Sequence, residues 1–172
     1  MSVQGDPPPG RYTLESVAAD QEGNRLGAKR SVFVVVPGNG TVHLSEMALV
    51  RRLEKAQESP DLLDPLAIPS GRIVPTLLDS VPGGQGKMLS LYFVAYPDEG
   101  SAEKPRLVLD LLKDGKVLTR SIPELPAADV LGRIPFLANT PLDVVGAGQY
   151  EFRATLLHGE SSARKSIFVD VE

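Results

Sequence analysis

The chain has 172 residues, 42% hydrophobic and 5% aromatic, with 18 Lys+Arg against 22 Asp+Glu and neither cysteine nor tryptophan. A formal charge of −4 with both signs scattered leaves no basic footprint for nucleic acid or anionic lipid. The lack of thiols excludes disulfide scaffolds, cysteine nucleophiles, iron–sulfur clusters and cysteine-based zinc sites, and no apolar run approaches the ~20 residues of a membrane-spanning helix.

The first strong pattern is Gly10-Arg11-Tyr12-Thr13-Leu14-Glu15-Ser16-Val17-Ala18, in which Tyr12, Leu14, Ser16 and Ala18 alternate onto one face. It returns as Gly148-Gln149-Tyr150-Glu151-Phe152-Arg153-Ala154-Thr155-Leu156, with Tyr150, Phe152, Ala154 and Leu156 on one face. After a polar turn (20–25 and 158–162), each copy ends in a second β-rich run, 31–36 and 166–171, so the repeat is a hairpin present twice. A lone two-stranded hairpin is marginal in water. Residues 1–36 are therefore expected to be the terminal hairpin of a truncated upstream β-sandwich, followed by a linker over 37–45 that contains Pro37-Gly38-Asn39-Gly40, and a second sandwich over 46–172. Aligned by sequence, Phe33 and Phe168 occupy equivalent places, each opposing the main apolar face of its hairpin, with Asp170 beside Phe168.

Within 46–172, Met47, Val50, Leu53 and Ala56 have helix-compatible spacing behind a Ser45 cap, but Leu49-Val50 also suits the first strand of a sandwich, and strand is chosen for 46–53. Residues 54–71 read as a long loop with one helical turn at 60–63, and Pro75 makes 72–77 an edge or bulged strand. Residues 87–96 form a central strand, with Leu89, Leu91, Phe93 and Ala95 on one face and Met88, Ser90, Tyr92, Val94 and Tyr96 on the other. Asp114-Gly115 is a type I′ turn dipeptide joining 106–113 to 116–122; a regular ladder would set Leu111 opposite Leu118 and Asp110 opposite Thr119. A shorter strand covers 134–137. About seven strands with turns between them predict an all-β protein, an immunoglobulin-like or fibronectin-III-like antiparallel β-sandwich.

In order and spacing, Leu49-Val50-Arg51-Arg52, Asp64-Pro65-Leu66, Arg72-Ile73-Val74-Pro75, Tyr92-Phe93-Val94-Ala95-Tyr96-Pro97, Leu125-Pro126, Gly132-Arg133-Ile134-Pro135 and Gly148-Gln149-Tyr150 resemble the C-terminal region of bacterial secreted proteins that carry a von Willebrand factor A-related domain. The resemblance implies an exported, VWFA-related protein with β-sandwich modules after the A-type domain. The Asp-x-Ser-x-Ser metal motif of that domain is absent here.

Candidate chemistry is sparse. Gly83-Gly84-Gln85-Gly86-Lys87 lacks the first glycine of a phosphate loop, where Val81 stands, and the Ser or Thr after the lysine, where Met88 stands, so it reads as an inter-strand loop. His43 and His158 are the only histidines; His158 falls with Ser161-Ser162 at a hairpin turn, a solvated place for a catalytic base. Asp61, Asp64, Asp98, Glu99 and Glu103 form no Asp-x-Asp-x-Asp-Gly loop and read as solubilising charge. Tyr12 and Tyr150, each after Gly-x, suit a tyrosine corner. No catalytic, cofactor or metal residue is therefore assigned. The expected function is a non-catalytic spacer or protein-interaction module of an exported protein, the alternative a carbohydrate-binding or other ligand-binding sandwich. Met88, Tyr92, Tyr96, Phe33 and Phe168 are the candidate interaction surface. The expected partners are neighbouring modules, another protein, or a second copy joined through the 1–36 hairpin.

Overall fold

The computed structural model describes residues 8–19, 26–35, 42–55, 64–76, 78–143 and 145–172. The expected turn at 20–25, the helical turn at 60–63, Asp61 and the segment 37–40 lie outside these residues. Two compact units divide the chain, Met1–Asn39 and Gly40–Glu172, and among the described residues there is no helix.

The first unit is the expected hairpin, β1 (Gly10–Ala19) and β2 (Leu26–Val35), antiparallel over ten pairs from Gly10 opposite Val35 to Ala19 opposite Leu26. Both faces carry exposed apolar side chains, Leu14 on one and Val17 and Val32 on the other. The Val17 face also holds the cross-strand ion pair Glu15–Arg30, with Nε 2.7 Å from Oε1.

The second unit contains β3 (His43–Leu44), β4 (Ala48–Glu54), β5 (Ala67–Ile68), β6 (Gly71–Pro75), β7 (Ser80–Val81), β8 (Met88–Tyr96), β9 (Arg106–Lys113), β10 (Lys116–Ser121), β11 (Ile134–Pro141), β12 (Gly148–His158) and β13 (Ser161–Val171). The strand reading of 46–53 agrees with β4: Leu49 packs in the main core and Val50 against the Ile73, Tyr92 and Val94 cluster on the other face, and burial on both sides outweighs local helix propensity. β3 falls inside the span expected as linker, with Val42 and Leu44 buried.

One sheet has the order β10-β9-β12-β13-β7, the other β11-β8-β4-β6-β5 with β3 also on β8. All pairings are antiparallel except that of β7 with β13. Between the sheets lies one core, in which Leu89, Leu91, Phe93 and Ala95 of β8 meet Leu107, Leu109 and Leu111 of β9, Phe152, Ala154 and Leu156 of β12, and Val169 of β13. This is the face that alternation assigned to each strand.

The second sheet curls. A bulge in β4 between Val50 and Arg52 interrupts its ladder with β6 opposite Pro75 and Val74, and bulges bend and twist a strand. Ile73 of β6, with Leu66 and Ile68, then packs on Tyr92 and Val94, the other face of β8. β8 is thus covered on both sides, which alternation along a single strand does not reveal.

The β9–β10 hairpin also departs from expectation. Asp114 (φ 51°) and Gly115 (φ 76°) have the positive angles of a type I′ turn. A bulge at Leu118, however, shifts the register, so that Thr119 faces Leu111 and Arg120 faces Asp110. The shift sets a guanidinium, rather than a hydroxyl, beside a buried carboxylate.

Candidate interaction surface

Of the three candidate surface residues along β8, the middle one is inside. Tyr92 is 4% exposed, packed with Ile73 and Val94, and its hydroxyl donates to the carbonyl of Pro65. Burial, reinforced by the neighbouring Tyr96, pushes its phenol up to about 12. Met88 and Tyr96 are exposed at opposite ends of the strand, about 26 Å apart at ~3.3 Å per residue. The three do not form one platform.

The segment 64–68 that covers Tyr92 is held by Asp64. Its carboxylate accepts from the Leu66 amide at 3.0 Å and from Arg72 Nε at 2.7 Å. Burial alone would raise this carboxyl; the amide and the guanidinium outweigh it and hold it below the usual range.

Tyr96 has different neighbours. β11 begins with Ile134 opposite Ala95, which brings Arg133 alongside Tyr96, and the Arg133 charge offsets part of the rise that burial imposes on the Tyr96 phenol. Arg133 belongs to a loop built around Asp129, whose carboxylate accepts from the Leu131 and Arg133 amides, both at 2.9 Å, and from Arg133 Nε at 2.8 Å. Gly132, at φ 72°, closes the loop by donating to the Asp129 carbonyl at 3.0 Å. The result is a braced tip that presents Val130, 84% exposed, and Leu131 to solvent beside Tyr96. Two adjacent apolar side chains thus stand exposed on a fixed loop, a feature that strand periodicity does not reveal. Its sequence signal is Asp129-Val130-Leu131-Gly132-Arg133, an Asp-x-x-Gly turn with apolar central residues.

Phe168 is 59% exposed on the outer face of the first sheet, opposite Glu151. Beside it runs an ionic ladder. Arg120 makes two bonds to Asp110 (2.6 and 3.0 Å), and Arg153 makes two to Glu151 (3.0 Å each), which also accepts from Ser166 Oγ at 2.7 Å. The Arg120 bonds hold the Asp110 carboxyl below its usual range. For Glu151 the Ser166 hydroxyl and then Arg153 do the same.

Phe33 is not the counterpart of Phe168. Gly10 pairs with Val35 and Gly148 with Val171, so counting back from these ends matches Val32 to Phe168 and Phe33 to Val169. Phe33 stands opposite Tyr12, on the Tyr12–Leu14 face; its side chain lies outside the described residues. Sequence alignment placed the two phenylalanines together because both follow Ser-x or Ser-Ile; pairing from the Gly-x-Tyr ends shifts them by one residue, and a one-residue shift exchanges faces.

The remaining candidates serve the scaffold. His158 is buried rather than solvated: its Nδ1 accepts from the Asp98 amide at 2.9 Å and its Nε2 lies 2.6 Å from the Glu103 carbonyl, which fixes the proton on Nε2. The imidazole thus ties both ends of the 98–103 segment to the end of β12. Asp98 turns that segment through its own bond to the Gly100 amide at 2.9 Å. In the glycine loop, the Gly86 amide donates to Asp143 at 2.6 Å and the Gly83 amide to the Glu172 carbonyl at 2.8 Å. A side chain at Gly83 would meet Val171 at 2.6 Å, so this glycine serves close packing. The Nε2 of His43 is buried with no partner among the described residues. Those residues hold no cluster of three metal-ligating side chains.

Both tyrosines make the expected corner. Tyr150 donates to the Gly146 carbonyl at 2.8 Å and Tyr12 to the Pro8 carbonyl at 2.6 Å, each four residues upstream.

No protein-family model matches the chain, and neither does any curated protein.

Proposed function

We propose that the 40–172 unit is an immunoglobulin-like or fibronectin-III-like sandwich that works as a non-catalytic spacer and protein-interaction module. The order of motifs that resembles VWFA-related secreted proteins supports placing it in an exported bacterial protein. The observation that carries the reading is His158, whose two ring nitrogens are both taken up in tying a loop to the sheet. A base so engaged has no free nitrogen for a substrate. Contacts in this reading run through the braced Val130–Leu131 tip and Tyr96. The alternative of a carbohydrate-binding face along Tyr92 and Tyr96 keeps only Tyr96 at the surface.

The test is an activity panel of esters, peptides and glycans on the full chain. No turnover is expected above a heat-treated control. A turnover abolished by His158→Asn or His43→Ala, in variants that keep the parent's circular dichroism, would overturn the reading.

A further inference from the structure

The 98–103 segment hangs on a group that changes charge. His158, 5% exposed at the end of β12, accepts from the Asp98 amide at Nδ1 (2.9 Å) and meets the Glu103 carbonyl at Nε2 (2.6 Å). An imidazole does both only as the neutral ring protonated at Nε2, because an amide N–H donates and a carbonyl accepts. Three further bonds turn the segment on itself: the Gly100 amide to the Asp98 carboxylate (2.9 Å), the Ser101 amide to the Asp98 carbonyl (3.2 Å) and the Glu103 amide to the Ser101 hydroxyl (3.3 Å). These give the segment its shape and do not attach it to the sheet.

A proton on Nδ1 acts on the two ends unequally. At Glu103 the ring remains a donor, now a charged one, and that bond strengthens. At Asp98 two N–H groups then face each other with no acceptor between them, an arrangement that a buried site does not tolerate. The charged ring is therefore compatible only with a segment freed at its Asp98 end, and by linkage proton uptake favours that form. The surrounding charges do not remove the conflict. Lys104, Arg106 and Glu124 line a cleft together with His158. The segment adds Asp98, Glu99 and Glu103, the last two exposed or set against Gly132, and the β12–β13 turn adds exposed Glu160. No side-chain carboxylate bonds either ring nitrogen, so none is in place to accept a proton at Nδ1.

We infer that His158 is a proton-operated latch: protonation at Nδ1 releases the Asp98 end of the 98–103 segment, which swings about the retained Glu103 bond. The cleft beside it, about 660 Å³, has Pro97, Pro105, Leu125 and Ile134 among its walls. The segment joins Pro97 to Lys104, two residues of those walls, so its release opens the cleft and uncovers apolar surface in acid. The latch goes beyond the interaction reading and needs no partner to operate.

NMR hydrogen exchange on the full chain between about pH 8 and about pH 5, the range in which histidine changes charge, tests this. Relative to its intrinsic exchange rate, the Asp98 amide is expected to lose protection by up to about tenfold per pH unit, as uptake of one proton requires. The β9 and β12 amides should keep theirs, and the Nε2 proton should stay hydrogen-bonded. His158→Asn places an oxygen near the Nδ1 position and does not titrate, so it should hold the Asp98 end at every pH. His43→Gln, which removes the other histidine, should leave the release unchanged. An Asp98 amide still protected at the acid end, whether or not the ring nitrogen shifts show a proton on Nδ1, overturns the inference. So does loss of protection at Asp98 and β12 together, or a release that His43→Gln abolishes. Ring shifts and amide exchange of the parent protein decide the matter even where His158→Asn does not fold.

Discussion

Leu14 and Phe152 hold the same place in their hairpins, two residues beyond the corner tyrosine, yet Leu14 is 56% exposed and Phe152 3%. Strand pairing, the Gly-x-Tyr start and the hydroxyl bond four residues back are common to both. What differs is the layer against the tyrosine face. β12 lies over β8 and shares its core, whereas the described part of β1 is exposed along nearly its whole length. A repeated sequence thus reproduces the local plan of a hairpin, while burial, and with it most of the free energy, depends on what that hairpin covers.

The sharpest way to break the comparison is to cut the same position twice. Phe152→Ala is expected to cost about 3–5 kcal/mol, through lost burial and an unfilled cavity. Leu14→Ala should stay within about 0.5 kcal/mol. Urea denaturation of each variant reads both. Equal losses would mean that β1 is covered as fully as β12.

A further substitution addresses the turn between β12 and β13. Gly159 sits at φ 59° in a two-residue loop, where Ser101 Oγ would lie 3.3 Å from an added Cβ. Gly159→Ala should therefore cost about 1 kcal/mol or somewhat more, visible in the thermal midpoint. Removing the corner hydroxyls comes next. Tyr150→Phe leaves the Gly146 carbonyl without its donor and should cost about 1 kcal/mol; Tyr12→Phe, at a more exposed corner, should cost less.

The smallest effect concerns acid. The Asp110 carboxyl is held below its ordinary value by Arg120 in the folded state. Its contribution is therefore fully present above the unfolded carboxyl range near ~3.9 and is lost as pH falls through the lower folded value. Asp110→Asn should flatten the decline of stability below about pH 4, without changing the pH 7 dependence on salt beyond the loss of this one exposed-partner pair. An unchanged acid profile would remove Asp110 from the account of acid sensitivity.

Much of the scaffold was legible because it is local. The repeat, the Asp114-Gly115 turn, the inward set of β8 and the two tyrosine corners follow from alternation, turn chemistry and spacing. Most of the failures are relations between segments distant in the chain. Tyr92 stood as a candidate surface residue because a single strand does not show that the sheet curls and brings Ile73 over its second face. Asp110 was set opposite Thr119 because a bulge at Leu118 adds a residue that no local pattern announces. His158 looked solvated because the segment that covers it, 98–103, lies over fifty residues earlier in the chain. The Val130–Leu131 tip was passed over because exposed apolar residues in a turn carry no periodic signal.

The pairing of Gly10 with Val35 puts the entry and exit of the first hairpin side by side. Tension transmitted along the chain would pull these two residues apart across the ladder, loading one cross-strand bond after another instead of all together. The hairpin would open like a zipper at low force and release about 80 Å of chain at 3.3–3.6 Å per residue. The 40–172 unit has a different attachment at its far end, where the Glu172 amide donates to Val81 at 3.0 Å and the Glu172 carbonyl accepts from Gly83 at 2.8 Å. These bonds flank β7, the one strand that runs parallel to β13. The two units thus differ in how their ends are held, the first entering and leaving at one paired end, the second ending alongside β7.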